Sequence, residues 1–302
     1  MRIAVVGGCN VDFICRPKGI SQEATSNGAD IQITPGGVGR NIAENLKNLG
    51  CQVTMVTAAG NDIMAQYITN DLKEWQIEGR IIPKEKTGIY FALLDEAGRM
   101  DRGFCDAEGV ESLTFEEILD KVGDFSAFDG VVVDANFSQT VIGELAEHLR
   151  QRGVPYALEP VSNYKAPRLQ RAIKGCTLIK PNRYEAAVLT GLPCTTLEEV
   201  KVCAERLGQL GAHNVLISMG REGLYFHNKE YSAHTAAPVR DIVNETGAGD
   251  ALLSAVFLAV LKQYTPQQAL RAGNRAAAMT CQVEHSVCRE LSPAILERED
   301  AG

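Results

Sequence analysis

The chain has 302 residues, 45% hydrophobic and 23% charged, with a formal net charge of −8. This is an ordinary globular balance in a chain long enough to bury a sizeable core without staples, and its acidity argues against sequence-independent nucleic-acid binding, which needs basic surface. Nine cysteines with no Cys-x-x-Cys pair, and no signal-peptide pattern at the start, read as reduced thiols in a cytoplasmic protein; no apolar run has the length of a membrane span.

Arg2-Ile3-Ala4-Val5-Val6-Gly7-Gly8 opens the chain as an apolar run closed by glycines, the pattern of a buried parallel strand. Residues 12–35 are polar and carry no helical stripe. Pro35-Gly36-Gly37-Val38-Gly39-Arg40-Asn41-Ile42-Ala43 follows. Its paired glycines allow close backbone approach to a ligand, and Asn41 offers donor and acceptor to vicinal hydroxyls; a glycine-rich turn before a helix reads equally well. Further buried strands are expected at 53–57, 130–134, 156–158, 177–179 and 215–218. Between 87 and 106, two strands at 89–94 and 100–104 flank the turn Asp95-Glu96-Ala97-Gly98. Thr114 with Glu117, and Thr196 with Glu199, form capping boxes that start helices, and Thr265-Pro266 starts another.

Lys180-Pro181-Asn182-Arg183-Tyr184-Glu185 follows a strand directly. Asn182 and Glu185 share one face of a first helical turn, either as a capping box or to orient a hydrated Mg²⁺ and phosphate. In Asn244-Glu245-Thr246-Gly247-Ala248-Gly249-Asp250, small residues expose backbone N–H groups at a helix start, an anion site by construction. Asp250, just inside that helix, is placed either to take a proton from a hydroxyl or merely to stabilise the first turn.

Alternating strand and helix predicts an α/β fold, a mainly parallel central sheet with helices on both faces. The expectation is one domain over 1–302, with segments of about 12–35 and 86–106 forming a small β-sheet lid over the site. Other templates fail. A dinucleotide fingerprint would need glycine at Leu252 or Ile42, and no Gly-Lys exists for a Walker A loop. The five histidines show no metal-ligand spacing.

Taken together and in order, Asn10-x-Asp12, Gly36-Gly37 with Asn41, Asn182-x-x-Glu185, Ser218-Met219-Gly220 with Gly223, and Thr246-Gly247-Ala248-Gly249-Asp250 resemble the ribokinase-like (PfkB) carbohydrate kinase family over essentially the whole chain. The resemblance implies an ATP-dependent kinase with Asp250 as general base. It implies an anion hole from the Gly247, Ala248 and Gly249 amides, and Asn10, Asp12, Gly36, Gly37 and Asn41 as substrate binders. Asn182 and Glu185 correspond to the Mg²⁺ and phosphate pair, acting through water, and Ser218, Gly220, Gly223 and Asn274 to positions near ATP. A homodimer through the lid is implied as well.

Within the family, the run from Gly36 to Leu46, Pro160-Val161-Ser162 with Lys165, and Leu216-Ile217-Ser218-Met219-Gly220 look most like members that phosphorylate pseudouridine. Phe13, Tyr90, Phe91 and Phe104 are candidates for a wall stacking on the base, or for the core of the lid sheet. Asn244 replaces a common Asp and residues 283–288 lack a usual glycine, which speaks against potassium activation; Glu159 also stands where Asp is common. Two alternatives stand beside this reading: a related kinase for ribose, a purine nucleoside or a hexose, and a non-catalytic ligand-binding sensor.

Overall fold

The computed structural model describes residues 1–238 and 242–297. Residues 239–241 and 298–302, part of the expected 1–302 domain, lie outside them. The chain runs β1 (Arg2–Val6), β2 (Asn10–Pro17), β3 (Ala29–Gly36), α1 (Val38–Asn48), β4 (Gln52–Ala59), α2 (Ile63–Glu74), β5 (Glu78–Pro83), β6 (Gly88–Leu94) and β7 (Met100–Asp106). It continues through α3 (Glu108–Glu111), α4 (Phe115–Val122), β8 (Gly130–Asp134), α5 (Gln139–Gln151), β9 (Tyr156–Glu159), β10 (Leu178–Ile179), α6 (Arg183–Thr190) and α7 (Leu197–Gln209). The last elements are β11 (Asn214–Ser218), β12 (Leu224–Asn228), β13 (Ser232–Thr235), α8 (Ala248–Leu261) and α9 (Pro266–Cys281).

The main sheet has the order β13-β12-β11-β10-β9-β8-β1-β4-β5. From β5 to β11 neighbouring strands are parallel, and β12 and β13 turn back antiparallel at one edge. Alternate side chains enter two separate cores. Ala4, Val6, Val131 and Val133 face the layer of α4 to α7, whereas Ile3, Val5 and Val132 face α1, α2, α8 and α9. This is the α/β architecture that the sequence predicts, and its physical cause is the period-2 alternation of a strand buried on both faces. Strands β5, β12 and β13 escaped the sequence reading: β5 and β13 are edges without a continuous apolar run, and β12, paired on both sides, offers only Leu224-Tyr225-Phe226.

Helix α8 is apolar all round, and ten of its fourteen residues are buried. A helix of that kind belongs inside a core. Phe257 at its centre packs on β8, where a Cβ added to Gly130 would come within 3.0 Å of its ring.

A second sheet of order β3-β2-β6-β7 stands apart from the first. Its register puts Ile33, Phe13, Phe91 and Phe104 in one row and Thr34, Asp12, Tyr90 and Cys105 in the next. Adjacent rows face opposite sides. Tyr90 therefore shares the face of Asp12, while Phe13, Phe91 and Phe104 lie on the other; the four aromatics do not form one wall.

Phe257→Ala, emptying a fully buried position, should cost about 3–5 kcal/mol of stability. Urea unfolding should give a lower midpoint with an unchanged slope.

Candidate active site

The glycine run at 247–249 becomes a helix start. Gly247 is the N-cap of α8 at φ 81° and supplies no side-chain cap. A Cβ there would lie 1.7 Å from the Ser286 carbonyl oxygen, so torsion and space both demand glycine. With small residues at 248 and 249, no side chain covers the first-turn amides at the positive end of the helix dipole, and the Ala248 amide makes only a long contact of 3.4 Å to Glu245 O.

Asp250 lies in that first turn, 7% exposed. Its Oδ2 accepts from Asn41 Nδ2 at 3.0 Å. Burial pushes the carboxyl up to about 7; Asn41 and the Lys180 ammonium oppose the rise, while Asp134 and Glu185 add to it. A carboxyl poised near 7 takes up and releases a proton at neutral pH. Asn41 Oδ1 is buried without a hydrogen-bond partner among the described residues, so it is an acceptor waiting for a donor.

Local geometry delivers Asn41 to this place. Gly37, the N-cap of α1, has φ 97°, and a Cβ on it would meet Gly8 O at 2.6 Å. The Arg40 amide donates to Gly8 O at 3.2 Å. The Arg40 guanidinium forks onto Asp71 at 2.9 and 2.8 Å and also pairs with Glu44. Gly36 stands opposite Asn10 in the β2–β3 ladder; a Cβ at 36 would fall 2.2 Å from the Asp12 carboxylate. Asn10 Nδ2 in turn donates to Asp12 Oδ1. Burial raises the Asp12 carboxyl to about 6, with Asn10 and Arg40 opposing. Asn10, Asp12, Gly36, Gly37, Asn41 and Asp250 thus form one connected polar surface.

Beside it lies a small recess of about 20 Å³ lined by Gly8, Cys9, Asn10, Gly88, Cys105 and Asn136 among others. Two groups that the sequence reading missed shape its floor. Asp134, wholly buried, accepts from the Gly8 amide at 2.8 Å and the Asn136 amide at 2.9 Å, and burial raises its carboxyl. Asn136 Oδ1 accepts from Lys165 Nζ at 2.6 Å.

On the other side, Asn182 and Glu185 form a reciprocal capping box: Asn182 Oδ1 accepts from the Glu185 amide at 2.9 Å, and Glu185 Oε2 from the Asn182 amide at 2.8 Å. The capping reading is therefore realised. It leaves one oxygen of Glu185 with no hydrogen bond among the described residues, a hard donor suited to a water of hydrated Mg²⁺. No group of three or more His, Cys, Asp or Glu among the described residues could hold a metal; Glu185 with Asn182 would suit a cation that keeps its waters.

Ser218 bridges to Asn182 at the end of β11. Gly220 and Gly223, at φ 58° and 94°, turn the chain into β12. Asn274 lies on α9 and reaches Ala236 O at 3.4 Å. Lys180 and Glu159 form a buried pair at 3.0 Å that the sequence reading left without a role. The available signal was a lysine directly behind a buried strand, which has no route to water and must be paired.

Residues 1–289 match the pfkB family carbohydrate kinase pattern. The chain is 29% identical over 297 residues to the pseudouridine kinase of Escherichia coli, covering 97% of this chain and 94% of that protein. It is 26% identical to the guanosine-inosine kinase of Exiguobacterium acetylicum, covering 97% and 99%. The ribokinase of Arabidopsis thaliana, solved with ribose and ATP, shares the fold with a TM-score of 0.82 at 22% identity, over 98% of this chain and 99% of that one.

A carbon-13 NMR titration should find the Asp250 carboxyl titrating near 7. Asn41→Ala removes a donor that favours the ionised form, so the titration should move to higher pH; an unmoved curve would remove Asn41 from this role.

Proposed function

The chain belongs to the pfkB family of carbohydrate kinases, and we propose that it transfers the γ-phosphoryl group of ATP to the 5′-hydroxyl of pseudouridine, giving pseudouridine 5′-phosphate and ADP. The observation that carries this reading is Asn41. Its Nδ2 holds Asp250 while its Oδ1 waits for a donor, so one side chain joins the base to the hydroxyl-binding surface of Asn10, Asp12, Gly36 and Gly37.

In this scheme the ribose hydroxyls meet Asp12 and Asn41, and the 5′-hydroxyl lies against Asp250. Asp250 takes the hydroxyl proton as the oxygen attacks the γ-phosphorus, and ADP leaves with the bridging oxygen. The amides of Gly247, Ala248 and Gly249 hold the charge of the transferring group, where positioning and electrostatics supply most of the catalysis. Ser218, Gly220, Gly223 and Asn274 border ATP. Mg²⁺ would neutralise phosphate charge when bound, and Glu185 and Asn182 would orient its waters.

The pseudouridine assignment draws support from the run Gly36 to Leu46 and from the Escherichia coli relative. The polar side chains of Asn10 and Asn136 lie beside the proposed ribose surface, where a base would meet them. Asn244 donates to Glu284 O and accepts from the Thr246 amide, both at 2.9 Å. A neutral Asn at 244 with both ends of its amide already engaged supports activity independent of potassium.

The second sheet acts as the lid and as a homodimer surface. Ile31, Ile33 and Phe104, on the face away from Asp12, are 54%, 48% and 60% exposed, an apolar patch suited to a second copy. Free cysteines suit a reducing cytoplasm.

ADP release with ATP and Mg²⁺ should be fastest with pseudouridine among pseudouridine, uridine, guanosine, ribose and fructose, and equal in sodium and potassium buffers; preference for another acceptor discards the substrate assignment. Asp250→Asn should lower kcat by about 10²–10⁴-fold with nucleoside binding retained, and wild-type turnover would remove Asp250 as the base. Light scattering should find a dimer that Ile33→Glu converts to a monomer.

A further inference from the structure

At the phosphoryl end of the site a charge cluster remains without a role in the scheme above. Lys180 follows β10, 4% exposed, with its Nζ 3.0 Å from Glu159 Oε2 at the end of β9. A Cβ built on Gly249 would stand 3.0 Å from the same Nζ. The ammonium therefore lies against the first turn of α8, beside the amide that precedes Asp250. A Cβ at 249 would press on that ammonium, a further reason for glycine there.

The surroundings are otherwise acidic. Glu159 from β9, Glu185 from α6, Asp250 from α8 and Asp134 from β8 all converge here, with Asn41 of α1 as a neutral neighbour. Burial raises Glu159 to about 8; Lys180 is held above the usual lysine value by Glu159, Glu185 and Asp250, against the opposing pull of burial. Pairing a lysine with one carboxylate explains its burial but not its position, because a pair that only satisfied itself could lie anywhere along the strand ends. Its placement against Gly249 does have an electrostatic consequence: an anion on the α8 amides would meet a full positive charge in a dry site, where such charges act most strongly.

We propose that Lys180, held in place by Glu159, contacts the transferring phosphoryl group from beneath the Gly249 amide and stabilises its charge during transfer. The inference rests on the phosphoryl group binding at 247–249 and is independent of which acceptor is used. Glu159 is the positioning residue of the pair. No bond to Lys180 forms or breaks; the ammonium keeps its proton throughout and acts by charge and hydrogen bonding alone.

The test is a charge-removal cycle on the full chain, with folding checked by circular dichroism and thermal melting. Lys180→Met should lower kcat by about 10²–10³-fold, the range for loss of one preorganised donor, with little change in acceptor KM. Glu159→Gln should stay within about tenfold of wild type. The double variant Lys180→Met/Glu159→Gln removes both buried charges and should fold even where the single lysine change does not; it should stay as slow as Lys180→Met. Recovery of wild-type turnover in the double variant would mean that Lys180 only neutralises Glu159, and would overturn the proposal.

A second readout needs no acceptor. Isothermal titration with ATP and with ADP, each with Mg²⁺, should show the double variant losing about tenfold in affinity for ATP and little for ADP, since the γ-phosphoryl group alone distinguishes them. An unchanged ratio of the two affinities also overturns the proposal. Failure of every acceptor with the wild-type chain would instead count against the proposed function, with the nucleotide titration still deciding the role of Lys180.

Discussion

The hydrogen bond from Asn41 to Asp250 joins residues 209 positions apart, and the active-site half of the molecule is arranged to make it possible. A carboxylate buried at a helix start is costly without a donor, and here the donor arrives from the opposite end of the chain. Asn41 is held in place by backbone contact with Gly8 and by the fork of Arg40 on Asp71. Gly37 supplies the left-handed torsion that turns β3 into α1. The paired glycines serve less as a flexible loop than as a fixed corner, tight enough that a methyl group at 36 or 37 would collide with neighbours.

The electrostatics follow from the sheet. Parallel strands end together, so the residues after β1, β8, β9 and β10 gather along one edge, the usual place for ligands in α/β folds. Glu159 and Lys180 come from neighbouring strand ends, Asp134 clamps the turns after β1 and β8, and α8 points its positive end at the same region. Desolvation raises the carboxyls of Asp134, Glu159 and Asp250 together. A crowd of buried acids is a poor place for an anion unless cations offset it, which is the physical reason that a buried lysine beside the glycine turn at 247–249 carries weight.

The second sheet has one face that carries Asp12 and one that carries an apolar patch exposed at Ile31, Ile33 and Phe104. Asp12, Tyr90 and Cys105 share a face across three strands, and Phe13, Phe91 and Phe104 share the other. Helix α2 ties this sheet to the core, since Tyr67 donates to Ile33 O at 3.2 Å and Asp71, one turn later, receives Arg40. The polar surface around Asp12 and Asn41 and the second sheet are therefore mechanically continuous.

Much of the local structure around the candidate site was legible because its signals are local. A glycine whose torsion no other residue adopts well, a small-residue run opening a helix, and an Asn or Thr capping an amide three residues on each act within a few residues of chain, so Gly37, Gly247, Thr196 and Asn182 could be read directly. The buried strands were legible for the same reason, since burial on both faces leaves an apolar run. The edge strands β5 and β13 leave none, and β12 leaves only three residues. Nor does alternation along one strand say which face meets the ligand, so four lid aromatics looked equivalent until strand pairing separated Tyr90 from the rest. The sequence by itself determined the fold class, the two glycine corners and the acid at the start of α8. Only the tertiary structure decided that Asn41 reaches Asp250 and that Lys180 lies against Gly249. Those contacts depend on which strand ends are neighbours, a property of the sheet order that no short segment contains.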